Sequence, residues 1–539
     1  VKAQDKNDRT YKERSLEVKK EIWGEPNAAF EVTKVPDEYK DESAVIIARS
    51  VFYSQDKKNR VKLTLFGPSF NNSRNNYITT IREKAKINDQ RALDEYASLE
   101  YRKQIDKTTS FGLFSKLLDK AFTFIGVKIT KPDGKINELN MDEEVLTKDE
   151  KKKKDGKIAI SGLEIGDLIE YYIRIEEVQE NNEKTLGPFF FVMGGDHPII
   201  DLSVKFIIDK KAGVACRAAN GAPDFKQSIS DEDDFLLALH QQNLPKITSK
   251  MWQMAYRQLP YIVISYKTSG GIKKPYISGA ITKNVTQEDY LKELEPILNQ
   301  IVYESQTPYE ISSPKSSLKS LLQKSLTTKI KTLPADSLAI SLFYVWQHYW
   351  GYVYNRYSYS ISSPIELDCS INYYGLYNFY ILLALHKLMQ DLQIDNELVV
   401  VTPVNSPKSE DILSYGDYDL LLRTKGNKPI YFSMDSRFNN PYEIPVRFQG
   451  QNATLLDVDV KKSFFGKSNS YSRTATKLPI SKAADNVTKE ALNITFNITN
   501  INITEVDRTV AIKGHYRAGT QMQLCLPEET EKRNSRILG

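Results

Sequence analysis

The hydrophobic period of this chain changes twice, and a chain whose period changes cannot fold as one uniform layer. Between about residues 44 and 266, short apolar runs alternate with polar residues or are cut by turn signals. From residue 287 apolar residues recur at helical spacing, and from 398 short β-type runs return. A period of two places successive side chains on opposite faces of a strand, whereas a period near 3.6 places them on one stripe of a helix. The clearest strand follows the Gly166-Asp167 turn: Ile169, Tyr171, Ile173 and Ile175 alternate with Glu170, Tyr172, Arg174 and Glu176, which predicts one buried and one wet face. Upstream, Pro132-Asp133-Gly134-Lys135 reads as a turn in which Pro presets φ and Gly accepts positive φ. Lys151-Lys152-Lys153-Lys154, with acidic residues on both sides, reads as a solvated hairpin tip. One helical interruption is expected over 89–107, with strands resuming over 199–266.

In the second regime Tyr290, Leu291, Leu294, Ile297, Leu298 and Ile301 fall on one helical stripe. Further helices are expected over 318–322, 338–350 and 373–390, with a Tyr- and Ser-rich loop after Gly351. Strands are then expected over 398–401, 419–422 and 430–434, so helices followed by strands make an α+β domain. In the tail, Leu492, Ile494, Phe496 and Ile498 oppose Asn493, Thr495, Asn497 and Thr499, and Ile501 and Ile503 continue with a shifted phase. That predicts a third, β-rich domain. Its asparagines at 493, 497 and 502 stand in N-x-T sequons, which in a bacterial protein mean only a polar strand face. The charged stretch 529–539 has no clear core role, so this last domain need not be complete. At 539 residues, about three domains of ~150 residues each fit the length.

Composition excludes several classes. The net charge of +5 is small for this length, and no basic face stands out, so a nucleic-acid partner is not expected. The three cysteines (Cys216, Cys369, Cys525) and five histidines (His197, His240, His348, His386, His515) form no metal-ligand spacing, so neither a metal nor a cofactor is expected. No run reaches ~18 apolar residues, so no membrane-spanning segment is expected. Val1-Lys2-Ala3 fits the end of a signal-peptidase site, which makes export an expectation, with mature chain from about Gln4.

The order of parts, from about 40 to 520, resembles a group of exported bacterial proteins. These carry an N-terminal β-sandwich domain of unknown function, a transglutaminase-like (papain-like) core and a C-terminal β domain. The residues carrying the resemblance are the Pro132-Asp133-Gly134 turn and the run from Gly162 to Tyr171, which is similar to the family's Gly-Asp-x-Ile-Glu-Tyr strand start. In the core they are 338–354, similar to the helix before the nucleophile, and Tyr431-Phe432-Ser433-Met434-Asp435, similar to the strand that delivers the triad aspartate. Leu478-Pro479-Ile480 and 491–496 resemble the opening of the C-terminal domain. The resemblance implies an α+β multidomain protein: an extension over 1–40 with a signal-peptide remnant at 1–3, a β-sandwich over 41–275, the transglutaminase-like domain over 276–465, and the C-terminal β domain over 466–539. It also implies the periplasm or outer cell surface of a Gram-negative-type bacterium.

A transglutaminase-like site attacks an amide carbonyl with a thiolate at a helix N-terminus, where unpaired N–H groups favour negative charge. A histidine moves the proton and an aspartate orients the histidine. The family writes this as Gly-Asp-Cys-x-Asp, then Asn-His, then Asp. This chain has Gly375-Leu376-Tyr377-Asn378-Phe379 and Asp417-Tyr418 at the first two places, and only Asp435 matches. A phenol with a pKa of ~10 serves neither as nucleophile nor as base near neutral pH. The remaining nucleophile is Cys369, eight positions before Tyr377 and without an obvious histidine partner. Tyr373, Tyr374, Tyr377, Tyr380 and Tyr418 would then line an aromatic pocket for a peptide or glycan, or simply fill the old cleft; both readings stay open. The function implied is non-catalytic binding of a peptide, a glycan or a partner protein in the cell envelope. The alternatives are an active cysteine peptidase, amidase or acyltransferase using Cys369, and a purely structural envelope protein.

Overall fold

The computed structural model describes residues 6–64, 67–111, 115–117, 119–141, 145–150, 153–180, 185–210, 212–248, 253–267, 281–282, 333–348, 382–383, 385–386, 388–390, 392–412, 418–436, 438–463, 466–496, 499 and 503–524. The chain is β-rich with several sheets. It divides into two compact units, Val1–Val285 and Thr286–Gly539.

The spine of the first unit is a hairpin of two long strands, Ala44–Thr64 and Gly67–Ile87. Ile199–Ile208 pairs parallel to the first of these strands, and Phe235–Leu244 and Lys226–Ile229 extend that side. On the other side the order is Leu168–Glu180, Asp119–Thr130, Ser98–Asp106, Lys153–Ala159 and Val145–Glu150, all antiparallel. A smaller sheet, Thr185–Val192, Tyr261–Lys267, Gly213–Ala219 and Ile281–Thr282, shares a core with the inner face of the large one. Val214, Cys216, Ile262 and Ile264 from the small sheet are buried in one cluster with Ile46, Ile125, Val127, Ile169 and Leu202 from the large sheet.

Local chemistry explains the turns. Gly134 sits at φ +88°, its N–H donates to the Lys131 carbonyl at 2.9 Å, and Asp133 accepts from the Lys135 N–H at 2.9 Å. Lys131 then joins this turn to the Gly166-Asp167 turn by donating to Glu164 and to buried Asp167, each at 2.8 Å. Glu150 pairs with Lys153 and Asp149 with Lys154, while Lys151 and Lys152 lie outside the described residues.

Two expectations are corrected. The face of Leu168–Glu180 read as wet is partly covered: Tyr172 is buried, because the polar N-terminal stretch forms a helix, Lys6–Gly24, that packs there. The helix expected over 89–107 stops early. Gln90–Tyr96 is helical, capped by Asp89, which accepts from the Ala92 N–H at 2.9 Å, and Ser98–Asp106 is a strand. Ser98–Asp106 takes its backbone partners from two neighbouring strands, and that non-local pairing overrides local preference.

In the second unit a five-stranded antiparallel sheet runs Tyr431–Phe432, Asp419–Thr424, Asn396–Val401, Asn452–Ser463, Gly466–Lys477. Asn396–Val401 is buried along its whole length because both faces are covered. On one face lie Leu342, Phe343 and Trp346 of the helix Ala335–His348 and Leu382, Leu385 and Met389 of the helical residues 382–383, 385–386 and 388–390. The other face packs Val399, Val401 and Leu421 against Ile444, Phe448 and Leu478. The hairpin Val487–Phe496 with Thr504–Lys513 is a separate two-stranded sheet, followed by the helix Tyr516–Leu524. The helices expected over 290–301 and 318–322 lie outside the described residues.

Candidate functional site

Of the residues singled out by the resemblance, Tyr418 and Asp435 fall at the same end of the second unit's sheet. Tyr418 precedes the strand Asp419–Thr424, and Asp435 follows the neighbouring strand Tyr431–Phe432. Tyr418 is buried in the helix-side core. Cys369, Tyr373, Tyr374, Tyr377 and Tyr380 lie outside the described residues, as does Asp417.

The partner that the Asp435 carboxylate meets is Arg447. Arg447 Nη2 donates to Asp435 Oδ1 at 2.5 Å, and Nη1 lies 3.3 Å from Asp419 Oδ2. Arg447 comes from a one-turn 3₁₀ helix, Val446–Phe448, started by Pro445, and its carbonyl accepts from the Val404 N–H at 2.7 Å. The guanidinium also lies 4.5 Å from the centroid of the Phe448 ring, which is buried in the opposite-face core. Burial pushes the Asp419 carboxyl above the ordinary aspartate value; the Arg447 charge pulls it down and the Asp435 charge pushes it further up. One cation therefore serves two carboxylates, all three about one-third exposed.

The segment carrying Asp435 is pinned from two sides. Gln347 Nε2 donates to the Asn439 carbonyl at 2.9 Å and the Tyr344 hydroxyl to Asn440 Oδ1 at 3.3 Å, both from the helix Ala335–His348. Glu443 accepts from Arg517 at 2.9 and 3.1 Å, which ties the same segment to the helix Tyr516–Leu524. The described histidine of the helical stretch, His386, is fully buried, with Nδ1 2.6 Å from Asn396 Oδ1. His515 Nε2 lies 2.6 Å from Gln449 Nε2. Sequence reading missed Asp419 and Arg447. The sequence marks Asp419 only as a strand residue, and nothing local in Pro445-Val446-Arg447-Phe448 announces a partner twelve residues upstream.

The first unit holds a second arginine–carboxylate cluster. Arg49, Glu83 and Tyr171 stand opposite one another on three adjacent strands. Arg49 Nε donates to Glu83 Oε2 at 2.7 Å, and the Tyr96 hydroxyl to Glu83 Oε1 at 3.0 Å. Burial and the Glu83 charge raise the Tyr96 and Tyr171 phenols well above the usual range. Burial works against the Arg49 charge, but Glu83 outweighs it and the guanidinium stays above its ordinary value. Beside this cluster, His197 Nε2 lies 3.0 Å from Glu95 Oε2.

Among the described residues, no three His, Cys, Asp or Glu side chains are placed to hold a metal ion, and no helix is long and apolar enough to cross a membrane.

Compared with known proteins, the chain matches no family description and no curated sequence. Among solved structures it is similar to a Parabacteroides distasonis protein described as a "putative protease", at 13% identity and a TM-score of 0.39, over 72% of this chain and 67% of that one. It is also similar to a Legionella pneumophila protein described as a "putative nutrient binding protein", at 7% identity and a TM-score of 0.18, over 63% of this chain and 86% of that one. Likenesses this distant carry no argument about activity.

Proposed function

We propose that this chain is a transglutaminase-like protein of the cell envelope that has lost acyl-transfer chemistry and acts by binding a peptide, a glycan or a partner protein. The observation that supports this reading is the pairing of Asp435 with Arg447 at the sheet end where the resemblance expects a His–Asp pair. A guanidinium stays protonated at any physiological pH and has no acceptor lone pair, so it cannot take a proton from a nucleophile. It can, however, hold the aspartate and the loop in place, as an imidazolium would. Tyr418, at the position of the expected histidine, is packed in the core and is no base near neutral pH. The frame of the site is kept while its proton carrier is gone. Export to the periplasm or outer surface, and the division at 275 and 465 into sandwich, core and C-terminal β domain, belong to the same proposal; the first rests on Val1-Lys2-Ala3 and the family resemblance, the second on the changes of hydrophobic period and the resemblance.

The deciding experiment assays peptide hydrolysis and amine incorporation for the full chain, Cys369→Ala, and the pair Tyr377→Cys with Tyr418→His. No activity above background in any of them is expected, because triad members act as a unit and Arg447 still occupies the aspartate. Activity in the parent that disappears in Cys369→Ala would establish a cysteine hydrolase or acyltransferase instead. Screening immobilised peptides and glycans against the parent then separates binding from a purely structural role.

A further inference from the structure

We infer that the N-terminal helix Lys6–Gly24 is a salt-sensitive strap, which docks on the outer face of the large sheet separately from the main core and uncovers an aromatic face when it leaves. The residues buried beneath it, Val18, Ile22, Phe124 and Tyr172, form a cluster of their own, apart from the cluster between the two sheets. Among helix residues 11–24 only Val18 and Ile22 are buried, and Leu16 faces solvent. Apolar anchoring is therefore thin. The Tyr11 ring stacks on Phe124 at 5.0 Å and its hydroxyl donates to the Thr123 carbonyl at 2.6 Å.

The remaining hold is charge. Arg14 meets Glu176 at 2.7 Å, Glu21 meets Arg174 at 2.6 Å, and Lys19 meets Glu138 at 2.6 Å. At the C-terminal end Arg82, paired with Glu170 on the neighbouring strand, donates to the Ile22 carbonyl at 3.1 Å and lies 5.4 Å from the Trp23 ring centroid. Trp23 in turn stands edge-on to Tyr172 at 4.9 Å. The Tyr172 ring lies over Gly126, where a Cβ would overlap it, so the sheet is shaped to keep this ring flat beneath the helix. Lys19 and Glu21 are 43% and 45% exposed, and Arg14 and Glu176 are part-exposed, so water reaches every pair that bridges helix and sheet and salt weakens them, the Lys19 and Glu21 pairs most. Most helical stability in a folded protein comes from packing one face rather than from the helix itself, so undocking and melting go together. Its departure bares Phe122, Phe124 and Tyr172 beside Arg82 and Lys128.

Hydrogen exchange of the intact protein at about 0.01 M and about 1 M salt, where the screening length falls from ~30 Å to ~3 Å, tests this. Helix amides should exchange roughly tenfold faster at high salt, while Asp119–Thr130 and Leu168–Glu180 keep their protection. Lys19→Glu should accelerate helix exchange at low salt, and adding Glu138→Lys should restore it. Helix protection that ignores salt, or that is lost only together with the strands, would make the helix an integral layer of the domain and end the proposal. Failure of Glu138→Lys to rescue Lys19→Glu would do the same.

Discussion

Each unit carries an arginine against carboxylates, and the two arrangements are built in opposite ways. In the first unit one carboxylate, Glu83, only 3% exposed, collects Arg49 and the Tyr96 hydroxyl, with Tyr171 standing on the adjacent strand. In the second unit one cation, Arg447, is divided between Asp419 and Asp435, and water reaches all three. A buried carboxylate is tolerated only when its lone pairs are filled, so the first cluster has several donors to one acceptor. The second tolerates an excess of negative charge because water screens it. The pairing type is the same; burial decides whether it is a structural fastening or an adjustable surface feature.

The largest expected difference between the two comes from removing the shared partner in each. Glu83→Ala leaves Arg49 charged and mostly buried with nothing to balance it, and should cost about 3 kcal/mol or more in urea unfolding of the first unit. A loss below about 1 kcal/mol would mean that water enters the cluster and would erase the contrast. Tyr96→Phe removes one hydrogen bond to a buried charge and should cost about 2 kcal/mol while leaving Arg49 paired. A neutral result would assign Tyr96 to packing alone.

Arg447→Ala should cost less, about 1 kcal/mol, because its partners are partly hydrated. Its loss leaves Asp419 and Asp435 facing each other, so the penalty should be greater at pH 7 than in acid; a penalty that does not change with pH would show that the two carboxylates do not sense each other. The smallest effect belongs to Asp419→Asn. The folded-state carboxyl of Asp419 titrates above its unfolded value, so folding favours the protonated form. Its contribution to stability is fully present below the ordinary aspartate value and is lost as pH rises through the folded value. Asp419→Asn should therefore flatten the fall in stability across that window, read from unfolding curves at a series of pH values. A slope unchanged from the parent would place the charge of Asp419 in bulk-like solvent.

Legibility differed sharply between elements. The strand Leu168–Glu180 and the Pro132–Lys135 turn were readable because their signals, alternation and a φ preset by Pro and Gly, act over a few neighbouring residues. The strands Asn396–Val401 and Asp419–Thr424 were readable as β-type runs for the same reason. The helix Lys6–Gly24 was not, since among residues 11–24 its buried stripe is only Val18 and Ile22 amid charges, and no amphipathic pattern rises above that background. Nor was the strand Ser98–Asp106, whose partners are 14 to 18 residues away on one side and 48 to 61 on the other. In the candidate site, Tyr418 and Asp435 were singled out by the resemblance, whereas Arg447 became visible only when a 3₁₀ turn carried it to the sheet end.

By itself, the sequence determined that the chain is mostly β with a helical section, where its tightest turns fall, and that no histidine occupies the position before the strand Asp419–Thr424. These follow from residue identity and from interactions over a handful of positions. The tertiary structure alone decided which face of the large sheet a helix would cover, that Glu83 would be saturated by Arg49 and Tyr96, and that Arg447 would take the place beside Asp435. The reason is one of range: periodicity and turn chemistry are local, but burial and ion pairing depend on which distant segments the sheets bring within a few ångströms, and no short stretch of chain encodes that meeting.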